Sequence, residues 1–241
     1  MRISIIIPAF NEERLIAETL HAVNAATTAF TQRVWSFELI VCDNNSTDQT
    51  AKLARAGGAK VVFEPLNQIA RARNTGASAA TGEWLIFVDA DSKPSAGLFD
   101  SVAKVIESGE CLGGGSTVRM DGRHLFAILV VQLWNCVSRL RSWMAGSFIF
   151  CEATAFRTLR GFSQELFASE EIEFSQRLKL LAKERRKKVV ILHEHPLLTS
   201  ARKIHLYTMR EHIWFLTKTI FGWGSTLRRR EACYTWYDGR R

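Results

Sequence analysis

Two carboxylates one residue apart, Asp89 and Asp91, end the apolar run Trp84 to Val88. Acids at that spacing in a loop can turn their oxygens toward one hard cation, which normally fills the rest of its shell with substrate phosphates and water. A second acidic pair, Glu170-Glu171, follows Ser169 and opens a stretch where Ile172, Phe174, Leu178 and Leu181 recur at helical spacing. Acids there either stabilise a helix start through its macrodipole or take a proton from an incoming hydroxyl. A third position, Asp43, leaves the apolar segment Phe37 to Cys42 and can accept a hydrogen bond from a ligand N–H.

The elements that must position these acids read as alternating strands and helices. Trp84 to Val88 has no polar alternation, which suits a central parallel strand buried on both faces. Ile3 to Ile7 is a first strand, left through Pro8-Ala9-Phe10-Asn11-Glu12-Glu13, and Leu15, Ile16, Leu20 and Val23 then share a helical face. Ser46 is placed as the cap of a helix over Asp48 to Arg55 that ends at Gly57-Gly58. A third strand covers Lys60 to Glu64, and a helix covers Ile69 to Ala80 with Arg71, Arg73 and Asn74 on it. This order predicts an α/β fold with a mostly parallel central sheet and helices on both faces, its ligands gathered beyond the carboxyl ends of the strands.

Beyond Asp91, the spacing predicts a helix over Ala96 to Ser108. A strand or turn follows around Gly113-Gly114-Gly115, where backbone approaches something closely, and another strand runs within Gly146 to Thr154. Leu125 to Val137 is strongly apolar with a narrow polar stripe at Gln132, Asn135, Arg139 and Ser142. It reads first as a core helix and second as a helix lying on a membrane surface, given Trp134, Arg139, Arg141 and Trp143. A strand at Val189 to Leu192 is expected to end in a turn at His193-Glu194-His195-Pro196, and Ile204 to Phe221 is expected to be an amphipathic helix with a basic end.

Composition narrows the class. The 241 residues fit one large α/β domain with a small appendage, and a net charge of +8 favours anionic partners. Five scattered cysteines without a Cys-x-x-Cys pair indicate reduced thiols in a reducing, cytoplasmic setting. The first strand is too short for the apolar region of a signal peptide, and no apolar run is long enough to span a bilayer.

With these residues laid out, the chain resembles the family 2 inverting nucleotide-sugar glycosyltransferases, which have the GT-A fold. The resemblance rests on Ile-Ile-Pro-Ala-Phe-Asn-Glu-Glu at 6–13, Val-Cys-Asp-Asn-Asn-Ser-Thr-Asp at 41–48, Ala-Arg-Asn-Thr-Gly at 72–76 and Asp-Ala-Asp at 89–91. Gly161-Phe162, Glu170-Glu171 and Thr-Ser-Ala-Arg at 199–202 continue it, so that it covers roughly residues 1–202 in order. It implies a GT-A domain over 1–202, with a nucleotide-binding half to about residue 115, an acceptor half from 116, and a basic helical tail over 203–241.

By the same resemblance Pro8, Ala9 and Glu12 line the nucleotide pocket, Asp43 receives the base, and Arg71 and Arg73 face the nucleotide or its diphosphate. Asp89 meets the ribose or the metal, and Asp91 binds Mg2+ or Mn2+. Arg202 either contacts the diphosphate or lies on the surface. The family's base is an acid of a Glu-Asp pair. Here the pair is Glu170-Glu171, with Glu171 as base and Glu170 supporting it or the acceptor. The added methylene moves the carboxylate by more than an ångström, a displacement catalysis can feel.

The implied reaction moves a sugar from a nucleotide-sugar donor to a hydroxyl acceptor, either a sugar or a lipid-linked one, in cell-envelope polysaccharide or glycolipid synthesis. The partners are then small molecules and a membrane surface touched from its cytoplasmic side, without nucleic acid. Two other readings compete. A nucleotidyltransferase shares the carboxylates and the cation, but it would place a glycine-rich basic loop where Pro8 to Glu13 offers acids. A non-catalytic basic protein docking on membrane or nucleic acid would use Trp214, Phe215, Phe221 and Trp223, and leaves the aligned acids unexplained.

Overall fold

In the computed structural model of the chain, which describes residues 1–122, 125–200, 225–228 and 233, eight strands form one sheet. In chain order the strands are β1 (Arg2–Ala9), β2 (Ser36–Asp43), β3 (Lys60–Phe63), β4 (Trp84–Val88), β5 (Ser92–Lys93), β6 (Cys111–Met120), β7 (Phe148–Glu152) and β8 (Lys188–Thr199). The helices are α1 (Ile16–Ala26), α2 (Thr28–Thr31), α3 (Thr50–Ala56), α4 (Ile69–Ser78), α5 (Ala96–Glu107), α6 (Leu125–Arg141), α7 (Ala153–Thr158) and α8 (Glu170–Glu184). The spatial strand order is β3-β2-β1-β4-β7-β6-β8-β5.

The first four strands pair in parallel, as their helix-bearing connections require. Every residue of β4 is buried, and its register against β1, with that of β1 against β2, brings the ends of all three strands to one edge of the sheet. β7 then pairs antiparallel with both β4 and β6, while β6 and β8 run parallel. Two cores result. Ile5, Val23, Phe30, Phe99 and Phe148 belong to one face with α1, α2 and α5, whereas Ile6, Phe87, Phe156, Phe162 and Phe174 belong to the other with α4, α7 and α8.

The glycine triplet lies in β6 between two strands. A β-carbon on Gly113 would collide with the Phe150 carbonyl, and one on Gly114 with the Val190 carbonyl. The short helix α7 and the two-residue strand β5 had no sequence signal of their own.

Several local expectations are corrected. Ser46 does not cap α3: its hydroxyl accepts from the Asn11 N–H at 3.0 Å, and Asp48 instead accepts from the Thr50 N–H at 2.9 Å. Ser169 does precede α8, but in a left-handed conformation (φ 63°) without a side-chain cap bond. The expected turn at His193 to Pro196 does not end the strand. β8 continues to Thr199, with Leu192 opposite Ser116 and Leu197 opposite Val118, so the four exposed residues form a wide bulge.

The apolar helix is corrected most. In α6 Val131 and Ser138 are buried, while Leu129, Leu133 and Leu140 are 63%, 68% and 78% exposed. Asn135 faces inward and both donates to and accepts from the Val118 backbone. It is not a core helix. The expected helix over Ile204 to Phe221 and most of the tail over 203–241 lie outside the described residues.

Candidate active site

The loops leaving β1 and β2 are laced into one surface. Asn11 takes a left-handed conformation (φ 52°), which its short polar side chain tolerates, and its Oδ1 accepts from the Thr47 N–H at 2.8 Å. The Glu12 N–H donates to Thr50 Oγ1 at 2.8 Å, the Glu13 N–H donates to Asp48 Oδ2 at 3.1 Å, and the Glu13 carboxylate accepts from the Gln49 N–H at 3.1 Å. Register sets Ala9 beside Asp43 and Pro8 beside Cys42, so the proposed pocket residues Pro8, Ala9, Glu12 and Asp43 occupy one edge. Asp43, 7% exposed, also accepts from the Ser46 N–H at 3.1 Å.

Asn44, next to Asp43 at the end of β2, is structural. Its amide donates to the Glu64 and Leu66 carbonyls, and its Oδ1 accepts from the Gln68 N–H at 2.9 Å. Gln68 then donates to the carbonyls of Gln164 and Leu166, reaching across to the segment before α8. Arg71, partly buried, holds the Gln68 side-chain oxygen at 3.1 Å.

Arg73 is the hinge of the site. It is 1% exposed, and its Nη1 donates to Glu170 Oε1 at 2.5 Å. Its Nη2 donates to Asp89 Oδ1 at 3.1 Å and to the Gly146 carbonyl at 2.7 Å. Burial opposes the charge, but the carboxylates of Asp89, Glu170 and Glu171 outweigh it and hold the guanidinium above its ordinary pKa. Next to it Asn74 grips Phe162 from both sides, donating to its carbonyl and accepting from its N–H, each at 2.9 Å. Phe162 stands edge-on to Phe87 with centroids 5.1 Å apart and packs 4.7 Å from Phe174 on α8, contacts that fix the start of that helix.

Glu171 lies beside Gly146, where a β-carbon would come 3.4 Å from its carboxyl carbon. Burial, aided by the charge on Glu170, pushes Glu171 up to about 8. Its backbone carbonyl accepts from Ser175 Oγ at 2.7 Å, and the same hydroxyl accepts from the Met144 N–H at 3.0 Å. The acids of α8 are thereby tied to the stretch between α6 and β7.

Asp91 turns elsewhere. It is 7% exposed and lines a cavity of about 20 Å³ with Asp121, Lys93, Thr199 and Ser200. Lys93 is engaged by Glu18 at 2.5 Å. The structure therefore brings Asp89, Arg73, Glu170 and Glu171 together, sets Asp43 and the β1 loop on the same edge, and leaves Asp91 at the foot of β5. His193 and His195 lie on the exposed bulge, and Arg202 is outside the described residues.

The hard oxygen donors at this edge suit a divalent cation. Among the described residues no three His, Cys, Asp or Glu side chains form a group that could hold a metal, and Asp89 does not line the cavity that Asp91 shares with Asp121. A cation at this edge would thus take few protein oxygens and share its shell with phosphate oxygens, as Mg2+ or Mn2+ does, instead of sitting in an all-protein cage. Sequence reasoning missed Gly146, Ser175, Gln68 and Asp121. Gly146 and Ser175 carry no signal in isolation, whereas Asp121 ends a strand and could have been found by that position.

A model of the family described as glycosyl transferase family 2 matches residues 4–155. The chain belongs to that family. An uncharacterized glycosyltransferase of Mycobacterium tuberculosis is 34% identical over 143 residues, 58% of this chain and 61% of the relative. The glycosyltransferase AglE of Haloferax volcanii is 34% identical over 98 residues, 38% of this chain and 31% of that protein. The chain thus spans less than two thirds of the length of either relative.

Among solved structures, Staphylococcus aureus TarS 1-349 in complex with UDP-GlcNAc superposes with a TM-score of 0.64 at 18% identity, over 98% of this chain and 69% of that one. The mannosyltransferase PcManGT from Pyrobaculum calidifontis, in complex with GDP-Man and Mn2+, gives 0.60 at 19% identity over 90% and 60%. At these identities the likeness shows the fold, and it is GT-A.

Proposed function

We propose that this family 2 chain transfers a sugar, with inversion, from a nucleotide-sugar donor to a hydroxyl acceptor. The observation that carries the reading is Arg73, which joins Asp89 at a strand exit to Glu170, next to Glu171. A donor-side acid and the immediate neighbour of the candidate base thus share one buried cation. TarS with UDP-GlcNAc and PcManGT with GDP-Man and Mn2+ support a donor of the nucleotide-sugar class.

In this reading Asp43 accepts a hydrogen bond from the donor base, Pro8, Ala9 and Glu12 wall the nucleotide, and Asp89 meets the ribose. Asp91, at the foot of β5, and Asp89 would each offer an oxygen to Mg2+ or Mn2+, which when bound would supply neutralising charge to the departing diphosphate. Arg71 and Arg73 add positive charge to the same region, Arg73 from behind through Asp89. Glu171 removes the proton of the acceptor hydroxyl while that oxygen attacks the anomeric carbon. The bond from that carbon to the diphosphate oxygen breaks on the opposite face, and the nucleoside diphosphate leaves.

A pKa near 8 suits a base that must hold a proton briefly and release it to solvent. Residues 1–202 form the glycosyltransferase domain, with its nucleotide half up to about 115 and its acceptor half after it, and 203–241 are an appendage. The buried thiols and the donor class fit a cytoplasmic setting. The test is nucleoside diphosphate release with a panel of nucleotide sugars and Mn2+: turnover should fall at least about a hundredfold in Asp91→Ala and Glu171→Gln. Wild-type turnover in either variant rejects the role given to that residue.

A further inference from the structure

The helix α6 is built the wrong way round for a part of the core. Its inward side carries Val131 and the half-buried Trp134 against the core, but also Asn135 and Ser138, both bonded to backbone. Outward, Leu129, Leu133, Cys136 and Leu140 recur at intervals of four, three and four, one stripe along a helix of 17 residues, about 25 Å. Ile128 and Val130 flank it at 36% and 47% exposure. Each of these residues could have been polar at no cost to the fold.

Charge says what meets the stripe. Between Asp121 and Glu152 the sequence holds no acid at all. Arg139 and Arg141 are exposed in the last turn of α6, and the Arg141 guanidinium lies 5.8 Å from the Trp143 ring centroid. Lys179 reaches the Arg141 carbonyl at 2.6 Å, adding a third cation at that end. Cys136 and Leu140 also border a groove of about 640 Å³ whose far wall is His193 and Pro196. Exposed leucines on one side, a basic and aromatic rim and an absence of acids are the features of a helix that lies in a lipid interface.

We infer that α6 docks this chain on an anionic bilayer surface, its Leu129-Leu133-Leu140 stripe in the headgroup region and Arg139 and Arg141 on anionic headgroups. No helix among the described residues is long and apolar enough to cross a membrane, and the contact inferred for α6 is with the bilayer surface. The docked face ends five residues before Gly146, beside Arg73 and Glu171. An acceptor carried by the bilayer would therefore arrive on the side of the acids of α8.

The experiment is co-sedimentation of the full chain with vesicles of phosphatidylcholine alone and of phosphatidylcholine with phosphatidylglycerol, at low and high salt. Wild type should pellet with the anionic vesicles and be released by salt. Arg139→Gln with Arg141→Gln should weaken partitioning about 25-fold, since each arginine near such a surface contributes a factor of about five. Leu129→Ser with Leu133→Ser and Leu140→Ser should weaken it at least about a hundredfold. Both variants should melt at the wild-type temperature, because the changed side chains are exposed.

Wild type left in the supernatant with anionic vesicles overturns the inference, as does a leucine variant that binds as well as wild type. So does a wild-type dimer by light scattering that the leucine variant dissolves, which would make the stripe a contact between copies. Nucleotide-sugar binding by thermal shift in the same samples is independent of sedimentation, so failure here and failure of the sugar-transfer reading are told apart.

Discussion

Arg73 Nη1 and Glu170 Oε1 stand 2.5 Å apart with side chains 1% and 4% exposed, an ion pair withdrawn from water between α4 and α8. Removing one partner of such a pair strands the other. Arg73→Met should cost about 3–5 kcal/mol, read by denaturant unfolding. Glu170→Gln should cost less, since Asp89 and the Gly146 carbonyl still serve the guanidinium. The double variant should be less destabilised than the sum of the two, which a double-mutant cycle measures.

Glu171 gives a pH signature of definite sign. Protonated up to about pH 8 in the native state against an ordinary 4.5, it must ionise to act as base. Turnover should rise with pH and level off above about 8, and Glu171→Gln should lack that limb at a level about 10² to 10⁴ lower.

The same shift bears on stability. Between 4.5 and about 8 the native state holds a proton that the unfolded chain has lost, so this group's contribution is full below 4.5 and declines as pH rises to 8. Glutamine, always neutral, removes the decline. Glu171→Gln should therefore match wild type in melting temperature near pH 4.5 and exceed it at pH 8, with the gap widening as the pH rises between the two.

Asn74→Ala deletes two bonds to one residue, Phe162, and leaves both backbone groups to find other partners. A loss of about 1–3 kcal/mol is expected in equilibrium unfolding. Asn74→Asp should be at least as damaging, because it keeps the acceptor but sets an oxygen against the Phe162 carbonyl.

Mn2+ together with a nucleoside diphosphate should raise the melting temperature of wild type by several degrees, as a ligand that binds only the folded form must. Asp91→Asn should lose most of that gain, and EDTA should abolish it in wild type. An unchanged response in Asp91→Asn would remove Asp91 from the cation site.

Much of this arrangement was legible in advance, and the exceptions share a cause. Trp84 to Val88 reads as a buried strand because an unbroken apolar run has no other use at that length, and Asp89 follows from where it ends. The choice of Arg73, Asp89, Glu170 and Glu171 came from motif order, and the structure brings those four side chains to one place. Spacing could not reveal that Arg73 faces two acids from inside, because partners 16 and 97 residues away leave no local trace. Nor could periodicity choose the inner side of α6, because the side that faces the sheet includes Asn135 and Ser138 while the leucines Leu129, Leu133 and Leu140 point outward. The strand through His193 to Pro196 was hidden because proline and charge mark turns and also the bulges of exposed strands.

The reversed direction of β7 has a mechanical consequence. A strand parallel to β4 would offer its far end at this edge, but β7 offers its entrance, and the Asp89 N–H is bonded to the Ser147 carbonyl at 3.1 Å. What precedes β7 in the chain is α6. A tug on that outer helix would thus be transmitted through Trp143 to Ala145 as through a short tether, reaching Gly146 and the guanidinium behind it without passing through the sheet.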